Sequence, residues 1–283
     1  MENILEVKNL SKKYDKFELK DVSFELPKGM IMGLIGENGA GKTTTIKAIL
    51  DIIKNYQGEI KIFGIDNKEY DIKKDISVVL DDMFFPEILT PNDINIIMKD
   101  IYKNWDSVIY FKYLNDFALP NNKQIKTLSK GMRKKLEIAT ALSHHPKLLI
   151  LDEPTSGLDP IARNEVIDIF RNFIEDEECS ILLSSHITTD LEHIADYITF
   201  INNGKILLTK TRDELLEQYG IVKCTEDEFK KIDKKDFIKY KKNKYEYEVL
   251  VENKKEFNKK YKVNTIDKIT LEDLMVLMIK GVK

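Results

Sequence analysis

Residues 33–45 read GLIGENGAGKTTT. The pattern GxxxxGK(S/T) falls on Gly36 to Thr43, after the apolar run MIMGLI (30–35) and before the helix-forming run TTTIKAIL (43–50). A strand, a glycine-rich loop and a helix start are the context this pattern requires. Glycines let the backbone wrap so that successive N–H groups point inward, and the helix N-terminus adds a partial positive charge. Lys42 can then reach the β- and γ-phosphates of a nucleoside triphosphate, while the Thr43 hydroxyl can ligate Mg²⁺. Gly36, Glu37, Asn38, Gly39, Ala40, Gly41, Lys42, Thr43 and Thr44 are therefore expected to surround the phosphates.

A triphosphate with Mg²⁺ also needs a carboxylate on a neighbouring strand. LLILDEP (148–154) supplies one, with four apolar residues and then Asp152 and Glu153 at the strand's end. Asp152 suits the metal shell. Glu153 points elsewhere by strand alternation and suits polarising the attacking water.

Around these motifs the chain alternates buried strands with helices. LEVKNL (5–10), FELKDVSFEL (17–26), MIMGLIG (30–36) and GEIKIFG (58–64) read as strands, with a helix from Lys42 to Ile53. Residues 90–145 carry apolar positions at helical spacing (Ile94, Ile97, Met98, Ile101; Leu136, Ala139, Leu142) and read as a helical insert. KLLILDEP, a helix over about 161–175, CSILLSSH (179–186) and YITFINNGKILL (197–208) resume the alternation. Apolar strands alternating with helices predict an α/β fold with a mostly parallel sheet covered on both faces. After Gly220 the composition shifts: residues 223–262 hold 14 Lys against 9 Asp plus Glu, although the whole chain of 283 residues has a net charge of −3. A small α+β appendage is expected there, with a hairpin in KYKKNKYEYEVLVE (239–252), a final helix in TLEDLMVLMIKG (270–281) and a solvated basic face.

Composition narrows the function classes. With 42% hydrophobic and 33% charged residues the chain is globular, and its net charge gives no whole-chain argument for nucleic acid. Cys179 and Cys224 form neither a CxxC pair nor a zinc spacing, which fits a reducing cytoplasm. MENILEVKNL lacks the basic start and apolar block of a signal peptide, and no uncharged apolar run nears the roughly 18 residues that span a bilayer. If the protein serves a membrane, it is expected to do so through a partner.

Three further motifs lead to a family. LSKGM (128–132), SGLDP (156–160) and SSH ending at His186 follow the phosphate loop and the Asp152–Glu153 pair in an order that resembles the nucleotide-binding subunit of ATP-binding cassette (ABC) transporters, over about residues 2–210. The resemblance implies a P-loop NTPase cassette: a RecA-like mixed sheet core with an antiparallel β subdomain and a helical subdomain at about 90–145, all within residues 1–220, and an accessory unit at 221–283. It further implies that Tyr14 stacks on adenine, that His186 contacts the γ-phosphate beside Glu153, and that Lys42, Glu153 and His186 carry the catalysis. Ser129 and Gly131 are expected to open a helix, beginning near Met132, that faces the γ-phosphate held by a second subunit. A head-to-tail dimer, of two copies or with a paralogous ATPase subunit, would sandwich two ATP molecules, with Asp159 crossing between sites.

The chain departs from the family pattern at three places. Lys130 and Met132 replace glycine and glutamine of the signature, leaving Ser129 and Gly131 intact. Aligning ISVVLDDMFFPEILTPND (76–93) puts Asp81 where the family has a glutamine that senses Mg²⁺ and abuts the membrane partner, so a water-mediated metal contact is expected there. With YKNWD (102–106), these variants resemble the bacterial ABC-2-type exporters of drugs and antimicrobial peptides, at the cytoplasmic face of the cell membrane beside an integral permease, with no nucleic-acid partner. The alternative is a soluble ABC ATPase acting on ribosomes or DNA. Such proteins carry tandem cassettes or a long coiled-coil insertion, whereas only about 84 residues separate Thr43 from Leu128 here. A GTPase is disfavoured because NKEY (67–70) lacks the Asp of the guanine motif.

Overall fold

Every residue of Ile31–Ile35, Leu148–Asp152 and Ser180–Ser185 is buried, so these strands need cover on both faces. The computed structural model describes residues 2–81, 85–262 and 265–283. In chain order the strands of the cassette are β1 (Asn3–Lys13), β2 (Glu18–Pro27), β3 (Ile31–Ile35), β4 (Gln57–Ile62), β5 (Ile65–Asp66), β6 (Ile76–Val79), β7 (Leu148–Asp152), β8 (Ser180–Ser185), β9 (Tyr197–Asn202) and β10 (Lys205–Thr211). Its helices are α1 (Lys42–Ile49), α2 (Pro91–Ile101), α3 (Ser107–Asp116), α4 (Lys130–Leu142), α5 (Pro160–Ile174), α6 (Thr188–Ile194) and α7 (Arg212–Gln218).

The central sheet runs β10-β9-β3-β8-β7-β6, parallel except for the antiparallel edge strand β10. Strand alternation sorts its side chains into two layers. Met32, Leu34, Leu148, Ile150 and Leu182 face the antiparallel sheet β2-β1-β4-β5 and helix α1. Ile31, Ile35, Leu149, Leu151, Ile181 and Leu183 face α5 and α6, against Val166, Phe170 and Leu191. Register then fixes the site: Ile35 pairs with Ser185, and Asp152 with Ser184, so β3, β7 and β8 end side by side. Ligands of open α/β sheets bind at this carboxyl edge.

Helices α2, α3 and α4 bury Ile94, Tyr110, Leu114, Leu136 and Ala139 in a core of their own. Each start is capped by the residue the sequence supplies: a Thr90–Asp93 capping box, Asp106, and Ser129. Two boundaries differ from expectation. α1 stops at Ile49 rather than Ile53, because Asp51 takes a left-handed φ of 55°; α4 starts at Lys130 rather than near Met132, because Ser129 is itself the cap.

The composition shift after Gly220 coincides with β11 (Gly220–Cys224), followed by α8 (Glu226–Phe229), β12 (Lys239–Lys242), β13 (Tyr247–Val251), α9 (Lys254–Tyr261), β14 (Ile266–Lys268) and α10 (Leu271–Lys280). The strands form an antiparallel sheet in the order β12-β13-β11-β14. One face packs Val222, Val249, Val251 and Phe257 together, while Ile221 and Leu250 join the cassette core. α10 lies on α6, burying Leu271, Leu274 and Leu277 in the same core as Leu191 and Ile194. The sequence shows that α10 has an apolar face; only the fold shows what covers it. Among the described residues no helix is long and apolar enough to cross a membrane.

Candidate functional site

The loop between β3 and α1 is shaped by close backbone contacts. A Cβ on Gly36 would meet the Ile201 carbonyl oxygen at 2.4 Å, and Gly41 caps α1 at a φ of 115° while a Cβ there would meet Leu19 at 2.8 Å. Side chains at either position would push the loop off the sheet. The amide of Ala40 donates to the Glu37 carbonyl, and Gly204 donates to the Ala40 carbonyl, so the loop is braced on the β9–β10 turn.

Charges converge behind this loop. Lys42 Nζ, only 6% exposed, donates to the Gly36 carbonyl oxygen at 2.7 Å and lies 3.1 Å from Glu153 Oε1. That ion pair lacks hydrogen-bond alignment, so Glu153 Oε1 is buried and charge-compensated while its hydrogen-bonding capacity is unspent among the described residues. Glu153 Oε2 accepts from the His186 backbone amide at 3.3 Å and lies 2.7 Å from His186 Nδ1. Glu153 itself adopts a φ of 52°, a conformation in which its amide donates to the Ser184 carbonyl at 3.1 Å and its carboxylate turns toward Lys42 and His186. The Thr43 hydroxyl donates to Asp152 Oδ2 at 2.7 Å, and the Ser184 hydroxyl donates to Asp152 Oδ1. Asp152 is 1% exposed, so both carboxylate oxygens need these partners.

A cleft of about 480 Å³ opens over this cluster, lined among others by Glu37, Asn38, Gly39, Gly41, Thr44 and Asp81. A hollow of similar size, about 500 Å³, lies on the appendage between Phe237, Phe257 and Tyr261. Size therefore does not single out the first; its convergent lysine, carboxylates and loop amides do. Asp81 is exposed at its rim, and residues 82–84 of the segment that follows lie outside the described residues.

The fold brings Gly36–Thr44, Asp81, Asp152 and Glu153 to one cleft, with His186 on Glu153, and does not bring the remaining expected residues there. Tyr14 is 42% exposed with the Lys12 ammonium 5.5 Å from its ring centre; among the described residues the aromatic that lines the cleft is Phe17, whose backbone oxygen accepts from the Tyr14 amide. Ser129 caps α4, accepting from the Met132 amide at 3.2 Å. Asp159 caps α5, and the Ala162 and Ile161 amides hold its carboxyl below the ordinary carboxylate range. Gly131 sits 3.5 Å, measured to a Cβ built there, from Leu158, next to that cap. Ser129, Gly131 and Asp159 thus share a neighbourhood on the surface, apart from the cleft lining of their own chain. Sequence reasoning missed Ser184 and Phe17. The polar residues ending SILLSS and the aromatic three residues after Tyr14 were the available signals.

The site can hold a triphosphate against backbone amides and a lysine, place a carboxylate beside a histidine, and pair a hydroxyl with a buried carboxylate. Among the described residues no group of three or more His, Cys, Asp or Glu side chains could hold a metal ion by themselves. The Thr43–Asp152 pair fits Mg²⁺ instead, since this ion is typically bound by one or two protein ligands plus substrate phosphates and waters.

Comparison with known proteins places the chain in a family. The family described as "ABC transporter" matches residues 19–156. The lantibiotic transport ATP-binding protein SrtF of Streptococcus pyogenes is 36% identical over 213 residues, spanning 74% of this chain and 92% of that protein. The bacitracin transport ATP-binding protein BcrA of Bacillus licheniformis is 35% identical over 213 residues, 73% of this chain and 69% of that protein. Among solved structures, one described as the ATP binding subunit of an ABC transporter superposes with a TM-score of 0.68 at 30% identity, over 75% of this chain and 91% of that one.

Proposed function

Because the chain belongs to the family of ABC transporter ATP-binding proteins, we propose that it drives export of an antimicrobial peptide or drug through a separate membrane-spanning permease at the cytoplasmic face of the membrane. ATP hydrolysis is the activity of the family. The cargo class rests on the lantibiotic and bacitracin transport proteins among the relatives.

The observation that carries the mechanism is the Lys42–Glu153–His186 constellation over the ends of β3, β7 and β8. Amides of Gly36–Thr44 cradle the phosphates, and Lys42 exchanges its contacts with the Gly36 carbonyl and Glu153 for phosphate oxygens. Glu153, held by His186 on Oε2, offers Oε1 to the attacking water. Mg²⁺, when bound, neutralises developing phosphate charge; Thr43 and Asp152 would hold it, with Asp81 reaching it through water. Phe17 at the cleft offers the adenine an aromatic contact, and Tyr14, 6.5 Å from it between ring centres, would have to turn inward to add the stacking expected of it.

Ser129 and Gly131 lie outside the lining of their own chain's cleft. We assign them, with Asp159, to a site completed by a second copy or a paralogous subunit in a head-to-tail ATP-sandwich dimer that closes on ATP and reopens after hydrolysis. Residues 221–283 are an accessory unit whose basic face is solvated, and no nucleic-acid partner is expected.

The test is reconstitution with a multi-span membrane protein that co-purifies with this chain. Bacitracin or a lantibiotic should raise ATP turnover of the complex, and Glu153→Gln should abolish it while ATP still binds. A complex whose turnover ignores such peptides and common drugs would sink the cargo assignment, and an active Glu153→Gln variant the mechanism.

A further inference from the structure

Beyond the residues that face the cleft, one buried polar contact joins the two loops that carry Glu153 and His186. Thr155 is 2% exposed and donates its hydroxyl to Asp190 Oδ2 at 2.7 Å; Asp190 is 5% exposed. Thr155 lies two residues after Glu153, in the turn between β7 and α5, where Ser156 donates to the Glu153 carbonyl and Leu158 to the Thr155 carbonyl. Asp190 lies in the first turn of α6, four residues after His186. From α5, Arg163 Nε approaches the same Asp190 oxygen at 3.9 Å, an ion contact without a hydrogen bond. A carboxylate this buried is kept only where partners compensate it, and here the partners are one hydroxyl, one guanidinium and the amide dipoles at the start of α6.

The structure assigns Thr155 and Asp190 a positioning role: their hydrogen bond sets the separation of the β7–α5 and β8–α6 loops, and so holds Glu153 and His186 within reach of each other. The assignment rests on the catalytic reading of Glu153 and His186 above. α6 needs such a tie, because its N-cap position is Ile187, which makes no side-chain capping bond. The Ile187 amide is satisfied by Ser185 Oγ at 2.9 Å, which orders the loop backbone but does not connect it to the Glu153 side. Other links across the gap are the Glu153–His186 contacts themselves, the amide of Glu153 on Ser184, the Ser184 hydroxyl on Asp152, the Arg163–Asp190 ion contact and the apolar packing of α5 on α6. Beside these, the Thr155–Asp190 bond is a buried hydrogen bond between side chains that ties the turn after Glu153 directly to the helix after His186.

The isosteric change Thr155→Val removes only the donor. It should lower kcat about ten- to a hundredfold, as a small misplacement of a base does, while KM for ATP and equilibrium binding of a non-hydrolysable ATP analogue stay within about twofold of the parent, a change too small for a lost binding contact. Thr155→Ser, which restores the hydroxyl, should return most of kcat. Asp190→Ala should lose at least as much as Thr155→Val, since it also removes the Arg163 contact, and the double change should cost no more than Asp190→Ala alone, because both remove the shared hydrogen bond. Should Asp190→Ala fail to fold by circular dichroism, the Thr155 pair decides the question. A folded Thr155→Val protein with parental kcat overturns the proposal, as does loss of nucleotide affinity in parallel with kcat, or failure of Ser to rescue. Glu153→Gln and His186→Ala are measured alongside: if both keep parental turnover, the catalytic reading falls and takes this proposal with it. If they are inactive while Thr155→Val is not, only the positioning role falls.

Discussion

Lys42 bridges the Gly36 carbonyl on one side and Glu153 on the other. Replacing Glu153 with Gln removes the charge partner but keeps the shape, so turnover should vanish and nucleotide affinity should hold or rise, as read by ATPase assay and by titration calorimetry. Ser184 makes a different kind of contribution. Ser184→Ala would strand one oxygen of the buried Asp152, at a cost of about 1–3 kcal/mol in urea unfolding. His144 carries a pH signature of its own. It is buried against Ser77 and stacks on Tyr102 at 4.0 Å, and burial pushes its pKa from 6.5 down to about 4. The unfolded chain takes up the proton near 6.5 and the folded chain does not. Its contribution is therefore complete above pH 6.5 and is lost as pH falls from there to about 4, by about 1–3 kcal/mol. A His144→Phe variant should flatten this part of the stability profile. The residues of the phosphate loop and the Asp152–Glu153 pair were legible because their chemistry needs fixed types at fixed spacing. Ser184, Phe17 and Asp190 were not, since each acts through a neighbour that only strand register or loop closure brings near.

At the scale of elements, unbroken apolar runs announced β3, β7 and β8, because a strand covered on both faces has no polar side to show. The end of α1 was hidden, since Ile52 and Ile53 continue the apolar pattern past the left-handed Asp51 that stops the helix. The docking of α10 was hidden for another reason: periodicity marks a buried face but not its partner. Leu274 is fully buried against the cassette core, so Leu274→Ala should cost about 2–5 kcal/mol in a urea melt. The same change should lower the midpoint for the whole cassette together with that of the appendage, because Ile221, Leu250 and Leu271 are continuous with Leu191 and Ile194. Two separate transitions would contradict that shared core.

At the scale of the molecule, the surface position of Ser129 beside Gly131, Leu158 and Asp159 is what a lone chain leaves unused. In the proposed dimer, Ser129→Arg should leave ATP binding by the monomer intact and abolish the ATP-dependent dimer, measured by sedimentation in the Glu153→Gln background. A dimer that persists would place the second subunit elsewhere. The expectation of a dimer came from the order of a cap, a glycine and an aspartate along the chain. That order did not carry the route by which the appendage reaches the site: α10 covers α6, Leu271 donates its amide to Glu192 Oε1 at 2.5 Å, and α6 begins two residues after His186.

That cover has a consequence for how the protein is made. α6 leaves the ribosome about 80 residues ahead of α10, a delay on the order of 4–16 s at ordinary elongation rates. Through that interval Leu191 and Ile194 lack their final lid, so the nascent cassette presents an apolar seam to chaperones and proteases.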